Sequence, residues 1–213
     1  MPASLRLRTP GQKLRKLGEV MGAGSLDEFY RRLTTHWEPG AILADGRDPA
    51  HAVEPAEGLD PVSRLMYYDL RTYLPDDILA KVDRATMAVG LESRVPLLDH
   101  RVVEFACTLP LEAKIRGGET KWILRRVLER YVPPALVDRP KMGFAVPLAA
   151  WLRGPLREWA EDLLSERSLR SSGYLNPEPV RKRWAQHLSG KGDWQDPLWD
   201  VLMFESWRRR WLA

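Results

Sequence analysis

Residues 76–99 read DDILAKVDRATMAVGLESRVPLLD, and this stretch sets charged side chains into an otherwise apolar pattern. Apolar positions recur at three- and four-residue steps, which predicts a helix over 76–89 with its apolar face turned inward. Gly90 is well placed to end that helix, since glycine readily adopts the left-handed conformation. Asp99 is placed to cap the helix that follows.

Two carboxylates in this stretch are candidate site residues. Asp83 lies inside the predicted helix, where aspartate is unfavourable, and on an inward face its charge needs a partner. Two interpretations of Asp83 are open. In the first it forms a structural ion pair with Arg94 or Arg84, and in the second it holds a cationic group of the substrate. Glu92 follows nine residues later, so one unbroken helix would put the two carboxylates on opposite sides. A chain that folds back at Gly90 would bring both to one pocket, whereas the plain alternatives for Glu92 are an exposed turn residue or a partner for Arg94.

The rest of the chain is also predicted to be mainly helical. Ser25 and Glu28 form a capping-box pattern, and Asp60 precedes a proline at a first helical position. Pro75 is predicted to break the helix that starts there. Residues 37–59 are rich in Gly, Pro, Asp and Ala without any period, so we expect a surface loop.

The pattern as a whole predicts a mostly α fold. No strand–helix–strand alternation and no internal repeat are found, and we expect residues 1–213 to form a single helical unit. Residues 114–118 are predicted to form a short strand or hairpin arm. Residues 155–213 are predicted to be Trp-rich C-terminal helices. Within them, four side chains recur at four-residue steps and predict a core-facing stripe: Trp199, Met203, Trp207 and Trp211.

Composition excludes several classes of protein. The chain has 213 residues, 44% hydrophobic and 29% charged, which is typical of a soluble globular protein. No apolar run approaches the roughly 18 residues that span a bilayer, and the N-terminal residues lack a secretory signal pattern, so we expect a cytoplasmic protein. Cys107 is the only cysteine and the four histidines share no ligand spacing, so we predict no metal site. The net charge of +4 would suit a polyanionic ligand but does not identify one.

A second candidate site is the loop Arg139–Phe144, which reads RPKMGF. Proline stiffens such a loop and glycine permits a tight backbone path, so Lys141 would be held where it can present its charge to a phosphate. The segment Gly117–Lys121 gives a weaker phosphate-loop signal, because it lacks the G-x-x-x-x-G-K spacing.

The order and spacing of these motifs resemble the synthetase domain of glutamine-hydrolysing asparagine synthetases. The resemblance covers residues 74–88 and 92–99, continues through 121–125 and 139–147, and ends at Trp151–Arg153 and Leu156. It implies that the chain is the helical C-terminal portion of an α/β, adenine-nucleotide-hydrolase-like synthetase domain.

The resemblance also implies a reaction. ATP adenylates the side-chain carboxylate of aspartate and releases pyrophosphate, and ammonia derived from glutamine displaces AMP to give asparagine. By its position in the family motif, Lys141 is implied to be a catalytic and cofactor-binding residue. It would contact the phosphate oxygens and stabilise the charge that develops at the acyl centre. Glu92, as catalytic residue, and Asp83, as substrate-binding residue, line the amino-acid side and hold the substrate ammonium or accept a proton. Arg94 and Asp99 are interpreted as structural.

The chain departs from the family pattern in three places. The nucleotide loop S-G-G-x-D-S, the G-D-x-x-D-E segment that helps to hold Mg²⁺, and the N-terminal nucleophilic cysteine are absent. We therefore expect ATP and Mg²⁺ as cofactors whose main binding motifs lie in missing N-terminal synthetase and glutaminase parts. We also expect the chain alone to be inactive.

Two alternatives stay open at this stage. The first is an amidotransferase of the same family that acts on another carboxylate. The second is a non-catalytic helical binding module, which salt-sensitive binding to DNA or RNA would reveal. No nucleic-acid motif or membrane segment is recognised, so we expect neither partner.

Overall fold

The described part of the chain is built almost entirely from helices. The computed structural model describes residues 10–46, 54, 56–138 and 146–212. The α-helices are α1 (Pro10–Met21), α2 (Leu26–Thr34), α3 (Pro39–Ile42), α4 (Pro61–Arg71), α5 (Ala80–Met87), α6 (His100–Thr108), α7 (Leu111–Lys114), α8 (Trp122–Leu128), α9 (Pro134–Val137), α10 (Leu148–Arg153), α11 (Arg157–Leu163), α12 (Glu166–Ser172), α13 (Pro177–Leu188) and α14 (Gln195–Trp211). The prediction of a mostly α fold is confirmed. None of the described helices is both long and apolar enough to cross a membrane.

Side-chain caps start two of these helices as the sequence predicts. Ser25 Oγ accepts a 3.1 Å hydrogen bond from the backbone N–H of Glu28 at the start of α2. The Glu28 carboxylate reaches back, but to the N–H of Gly24 at 2.7 Å. Asp60 caps α4 by accepting from the N–H of Val62 at 3.0 Å. These bonds satisfy donors that the first helical turn leaves unpaired.

The predicted break between two helices is present, but it lies at Thr72 and not at Pro75: α4 ends at Arg71, and Thr72 is non-helical, with φ −125° and ψ −73°. Helical turns then continue through Pro75 as a π-helical segment, Leu74–Leu79, which runs directly into α5. Pro75 lies in the first turn of that segment, where a missing N–H is tolerated. The N–H of Asp76 donates to the carbonyl of Thr72 at 3.0 Å. π-Helical turns are rare and frequently occur at functional sites, so the segment directs attention to α5.

A two-stranded hairpin lies between α7 and α8. Strands β1 (Ile115–Arg116) and β2 (Glu119–Thr120) pair antiparallel, which confirms the predicted hairpin arm. The two turn residues, Gly117 and Gly118, both have positive φ, 57° and 82°. A two-residue hairpin turn of this type requires that backbone conformation, which glycine adopts without steric cost.

The described residues fall into two compact units, which we call unit 1 (10–46 and 146–212) and unit 2 (54 and 56–138). The hydrophobic core of unit 1 joins its two stretches of chain. Its buried members are Trp37, Ile42, Leu148, Leu152, Ala160, Leu163, Leu164, Leu169, Leu175, Val180, Trp184, Leu198, Val201 and Leu202.

The prediction of a surface loop over 37–59 is wrong at its start. Trp37 and Ile42 are buried, and the indole N–H of Trp37 donates to the carbonyl of Pro197 at 2.7 Å. Leu43 forms a β-bridge with Leu175 in the C-terminal stretch. The side chains of Trp37 and Ile42 therefore hold the start of this Gly- and Pro-rich segment against the core of unit 1. The free energy gained by burying them outweighs the local preference for turns.

The face of α14 that packs into the core differs from the predicted one. The buried positions are Leu198, Val201, Leu202 and Glu205, spaced i, i+3, i+4 and i+7. The predicted stripe is wrong, since Met203, Trp207 and Trp211 are exposed. Only Trp199 of that stripe packs against the core, where its ring lies 6.1 Å from that of Trp159. Apolar side chains occur on both faces of α14, so periodicity alone does not identify the buried one.

His187 is completely buried beside the rings of unit 1. It stacks on Trp184 at 6.1 Å, and its Nδ1 accepts a 3.1 Å hydrogen bond from the N–H of Trp194. Burial, together with the nearby Arg153 guanidinium, lowers the pKa of His187, while Asp193 opposes that shift. The bond from Trp194 requires an unprotonated Nδ1, so the imidazole is held in its neutral form.

Unit 2 has no comparable core among its described residues. Tyr68 is the single buried residue in 56–138. The apolar face of the π segment and α5, predicted to point inward, is exposed: Val82 is 40% and Val89 is 78% accessible. That prediction is wrong because no described element covers this face.

Candidate functional site

The turn after α5 forms as the sequence predicts. Helix α5 ends at Met87, and Gly90 adopts φ 70°. The N–H of Gly90 donates to the carbonyl of Met87 at 3.0 Å, and that of Leu91 to the carbonyl of Thr86 at 3.0 Å. This is the closing arrangement of a helix that ends on a left-handed glycine. Asp83 and Glu92 therefore lie on different elements, while their position at one pocket stays a prediction.

Asp83 is exposed in the first turn of α5. Its carboxylate forms no ion pair or hydrogen bond with any other residue in the described part of the chain. The interpretation that Asp83 is buried and paired with Arg84 or Arg94 is therefore wrong. Because water reaches this carboxylate, Asp83 tolerates its position without a partner.

Glu92 lies in the turn with its side chain 68% exposed. Its carboxylate accepts a 3.0 Å hydrogen bond from Arg94, so the structural alternative of pairing with Arg94 is confirmed. Such exposed pairs stabilise proteins by about 0–1 kcal/mol, because water competes for both groups. A substrate cation could replace Arg94 at little energetic cost.

Asp99 has the structural role that the sequence indicated. Its Oδ1 accepts from the N–H of Arg101 at 2.9 Å and starts α6. The hydrogen bonds from the Arg101 side chain and then from its backbone hold the pKa of Asp99 below its ordinary value.

Lys141, the central residue of the predicted phosphate site, lies outside the described residues. The whole loop Arg139–Phe144 lies outside the described residues as well, so its predicted role stays a prediction. The described chain leads up to it at Asp138, which accepts a 3.2 Å hydrogen bond from Arg125 in α8. This contact fixes the end of the described segment to the N-terminal half of α8.

A cleft of about 340 Å³ lies beside α8 in unit 2. Charged residues dominate its lining: Glu119, Lys121, Arg125, Arg126, Glu129 and Asp138, with Leu124, Leu128, Pro134 and Val137 between them. Sequence reasoning found only a weak sign of this cleft, the Gly117–Lys121 segment, because the hairpin and α9 that form its walls come together only in the folded chain.

The cations of the cleft differ in how they are paired. Arg126 lies 2.8 Å from Glu129, and Arg125 lies 3.6 Å from Glu119. Lys121 is exposed and has no ion pair with another described residue. Its backbone is the single non-glycine with positive φ in the described chain, at φ 59° and ψ 33°. A lysine in this uncommon conformation, directly before a helix, presents an available positive charge at the cleft.

The described residues do not form a metal site. No group of three or more His, Cys, Asp or Glu side chains is close enough to hold an ion within residues 10–46, 54, 56–138 and 146–212. Mg²⁺ is usually held by one or two carboxylates together with substrate phosphates and water, so this finding excludes only a site built entirely from these residues.

The described residues thus combine a mostly helical fold with exposed carboxylates around Gly90 and a charged cleft beside α8. The sequence profile described as asparagine synthase matches residues 1–209, and the chain belongs to the asparagine synthase family.

Individual relatives agree with this family. The chain is 39% identical over 178 residues to a Mycobacterium tuberculosis protein described as a glutamine-hydrolysing asparagine synthetase, covering 83% of this chain and 27% of that protein. It is 36% identical over 181 residues to asparagine synthetase [glutamine-hydrolyzing] 1 of Bacillus subtilis, covering 85% and 28%. The Gallus gallus asparagine synthetase [glutamine-hydrolyzing] is 30% identical over 163 residues, covering 70% and 28%. The chain thus spans little more than a quarter of the length of these relatives. No solved structure matches it.

Proposed function

We propose that the chain supplies one side of the synthetase active site of a glutamine-hydrolysing asparagine synthetase. In this proposal both units belong to a partial synthetase domain, whose substrates are aspartate, ATP and glutamine-derived ammonia. The observation that carries the proposal is the exposed carboxylate of Asp83, without a partner in the described chain, inside the family's characteristic motif. Because this carboxylate is exposed and no described residue pairs with it, it is available to bind a cationic group of the substrate.

The reaction has two steps. The side-chain carboxylate of aspartate attacks the α-phosphorus of ATP, forming an acyl-adenylate and expelling pyrophosphate. Ammonia then attacks the acyl carbon, the bond to AMP breaks, and the nitrogen loses a proton to give the amide. Both steps move negative charge onto phosphate oxygens, where fixed positive charge lowers the barrier.

In the proposal some residues of this chain act on the amino group of the substrate or on ammonia, and others act on the phosphates of ATP. Asp83 and Glu92 bind the ammonium group of the substrate or accept the proton that ammonia loses. Lys141 faces the phosphates and the acyl centre. Lys121, at the cleft, adds a positive charge that no other described residue pairs with.

The described residues form no Mg²⁺ site by themselves, so no step is assigned to the metal here. Mg²⁺ would neutralise phosphate charge, and in this proposal its ligands belong to the synthetase and glutaminase parts of the relatives that lie beyond the matched region. Those synthetase and glutaminase parts are the proposed partners, and we keep the prediction of a cytoplasmic location.

The experiment that tests the function is a chimera. In it, this chain replaces the matching region of the Bacillus subtilis relative, and asparagine formation is measured with ATP, aspartate and either glutamine or ammonium. We expect asparagine from the chimera, with losses on the order of 10²-fold or more for Lys141→Ala and for Glu92→Gln. Lys182→Ala in α13 is the charge-matched control.

Two outcomes would contradict the proposal. A folded chimera that retains its glutaminase activity but forms no asparagine excludes this chain as a synthetase part. A chimera that amidates a different carboxylate in preference to aspartate favours the alternative amidotransferase.

A further inference from the structure

A pocket of about 370 Å³ lies in unit 1. Small-molecule sites in proteins have volumes of roughly 300–1,000 Å³, mostly apolar and aromatic walls and a small number of polar groups. The pocket fits this description at the small end of the range. Its described lining residues are Leu43, Asp45, Gly173, Tyr174, Leu175 and Phe204.

Backbone pairing holds two of the segments that line this pocket side by side. Leu43 forms an antiparallel β-bridge with Leu175, and the N–H of Ala44 donates to the carbonyl of Tyr174 at 2.9 Å. Leu175 is also buried in the core of unit 1. Because these walls are fixed before a ligand arrives, little conformational entropy is lost when one binds.

Aromatic rings form one side of the pocket. The rings of Tyr174 and Phe204 lie 5.7 Å apart and are nearly perpendicular, at 84°. A cation in the angle between two such rings can contact the faces of both. The Phe204 ring also lies 6.3 Å from that of Trp207, which extends the aromatic surface along α14. Ring faces carry partial negative charge and attract cations.

The pocket also carries a negative charge. Asp45 is exposed, and it is the single charged residue among the described lining residues. It interacts with another group of the chain, but a carboxylate offers about four acceptor positions, so it can attract a ligand as well. Ring faces and a carboxylate in one pocket complement a positively charged ligand.

We propose that this pocket binds a small organic cation with a quaternary ammonium group. A quaternary nitrogen has no N–H, so it needs no hydrogen-bond acceptor beside the apolar side chains of Leu43 and Leu175. A guanidinium group, by contrast, brings about five N–H donors, and donors left unpaired in such surroundings are costly. The methyl groups on the nitrogen contact the rings of Tyr174 and Phe204, while Asp45 attracts the charge.

The pocket does not include the residues of the proposed synthetase function. Asp83 and Glu92 belong to unit 2, whereas all described lining residues of the pocket belong to unit 1. The cation is therefore a ligand in addition to aspartate, ATP and ammonia. Its binding is measured on the chain itself, so the result does not depend on the proposed function.

Choline is the probe, and a titration followed by ligand-observed saturation-transfer NMR gives its dissociation constant. We expect a value of about 1 mM, which is ordinary for a ligand of so few atoms. The control ligand is dimethylbutanol, the uncharged alcohol of the same shape with carbon in place of nitrogen. It should bind at least ~5-fold more weakly, because it lacks the charge that the rings and Asp45 attract. Sodium chloride keeps the ionic strength constant in both titrations.

Variants of two lining residues locate the site. Tyr174→Leu removes a ring and Asp45→Asn removes the carboxylate charge, and each should weaken choline binding at least ~5-fold. Tyr174→Phe keeps the ring and should bind choline within ~2-fold of the unchanged chain. The matched controls are Tyr131→Leu, at an exposed tyrosine of unit 2, and Asp196→Asn, at an exposed aspartate in the first turn of α14. Neither control residue is among the described lining residues, so both variants should bind choline as the unchanged chain does.

Three results would overturn the proposal. Absence of choline binding up to ~50 mM excludes the site. Equal binding of choline and dimethylbutanol shows an apolar pocket without preference for charge. Binding that Tyr174→Leu and Asp45→Asn leave unchanged places the cation elsewhere on the chain. Circular dichroism checks that each variant is folded, and should one of these two fail to fold, the other decides the outcome.

Discussion

Glu92 and Arg94 form an exposed ion pair in the turn that follows α5, with 3.0 Å between a carboxylate oxygen and a guanidinium nitrogen. Two residues apart in the chain, they meet without help from any other element. Arg94 thus binds the carboxylate of Glu92, which the family resemblance assigns to catalysis. Both side chains are exposed to water.

We expect the loss of this pair to leave stability nearly unchanged. Arg94→Gln removes the cation, and an exposed pair contributes little, so the free energy of unfolding should change by about 0.5 kcal/mol or less. Urea denaturation of the isolated chain measures it, with Arg84→Gln as the control for loss of one charge. A destabilisation above about 2 kcal/mol would show that the pair is structural.

The isolated chain should not release pyrophosphate from ATP in the presence of aspartate. The nucleotide loop of the family is absent from its sequence, and no described residue group replaces its backbone donors. A coupled pyrophosphate assay tests this. ATP- and aspartate-dependent release that Lys141→Ala abolishes would contradict the prediction.

The two faces of α14 should respond differently to truncation. Leu202→Ala removes a completely buried side chain, and such changes cost about 2–5 kcal/mol of unfolding free energy. Trp207→Ala removes a half-exposed ring, for which surface substitutions predict a change of about 0.5 kcal/mol. Thermal and urea unfolding compare the two variants. A larger loss for Trp207→Ala would restore the sequence-based assignment of the buried face.

Stability should fall between pH 7.5 and pH 5.5 because of His187. Its pKa is lower in the folded chain than the ordinary 6.5, so the unfolded state binds more protons in this range. The stabilisation is complete well above the ordinary pKa of 6.5, declines as the pH falls through that value, and is lost once the pH is below the folded pKa. Each tenfold difference in the proton affinity of His187 between the unfolded and folded chain corresponds to about 1.4 kcal/mol of this stabilisation.

Urea unfolding followed by tryptophan fluorescence measures this pH dependence. Glu161, which bonds to the neighbouring Trp184, does not obscure it, because its pKa lies below the ordinary 4.5. For Glu161, desolvation raises the pKa, but hydrogen bonds from Trp184 and Arg181 and the charges of Arg181 and Arg157 together outweigh it. His187→Gln should remove the dependence, and a pH dependence that survives in this variant would assign it to another group.

Local features of the fold followed from the sequence because neighbouring residues create them. Ser25 and Asp60 cap helices with their own side chains, Gly90 ends α5, and Gly117 with Gly118 turns the hairpin. Each of these depends on backbone conformation and on hydrogen bonds within a few residues. The motifs around Asp83 and Lys141 likewise identified the family, since they are read from order and spacing alone.

Burial was decided only by the tertiary structure. Trp37 packs in a core built mainly from residues after 146, and Trp207 stays outside although its spacing matches an apolar stripe. Val82 lies on a regular apolar face that no described element covers. A period shows which residues share a face but not whether another element packs on it, because burial depends on contacts between distant parts of the chain.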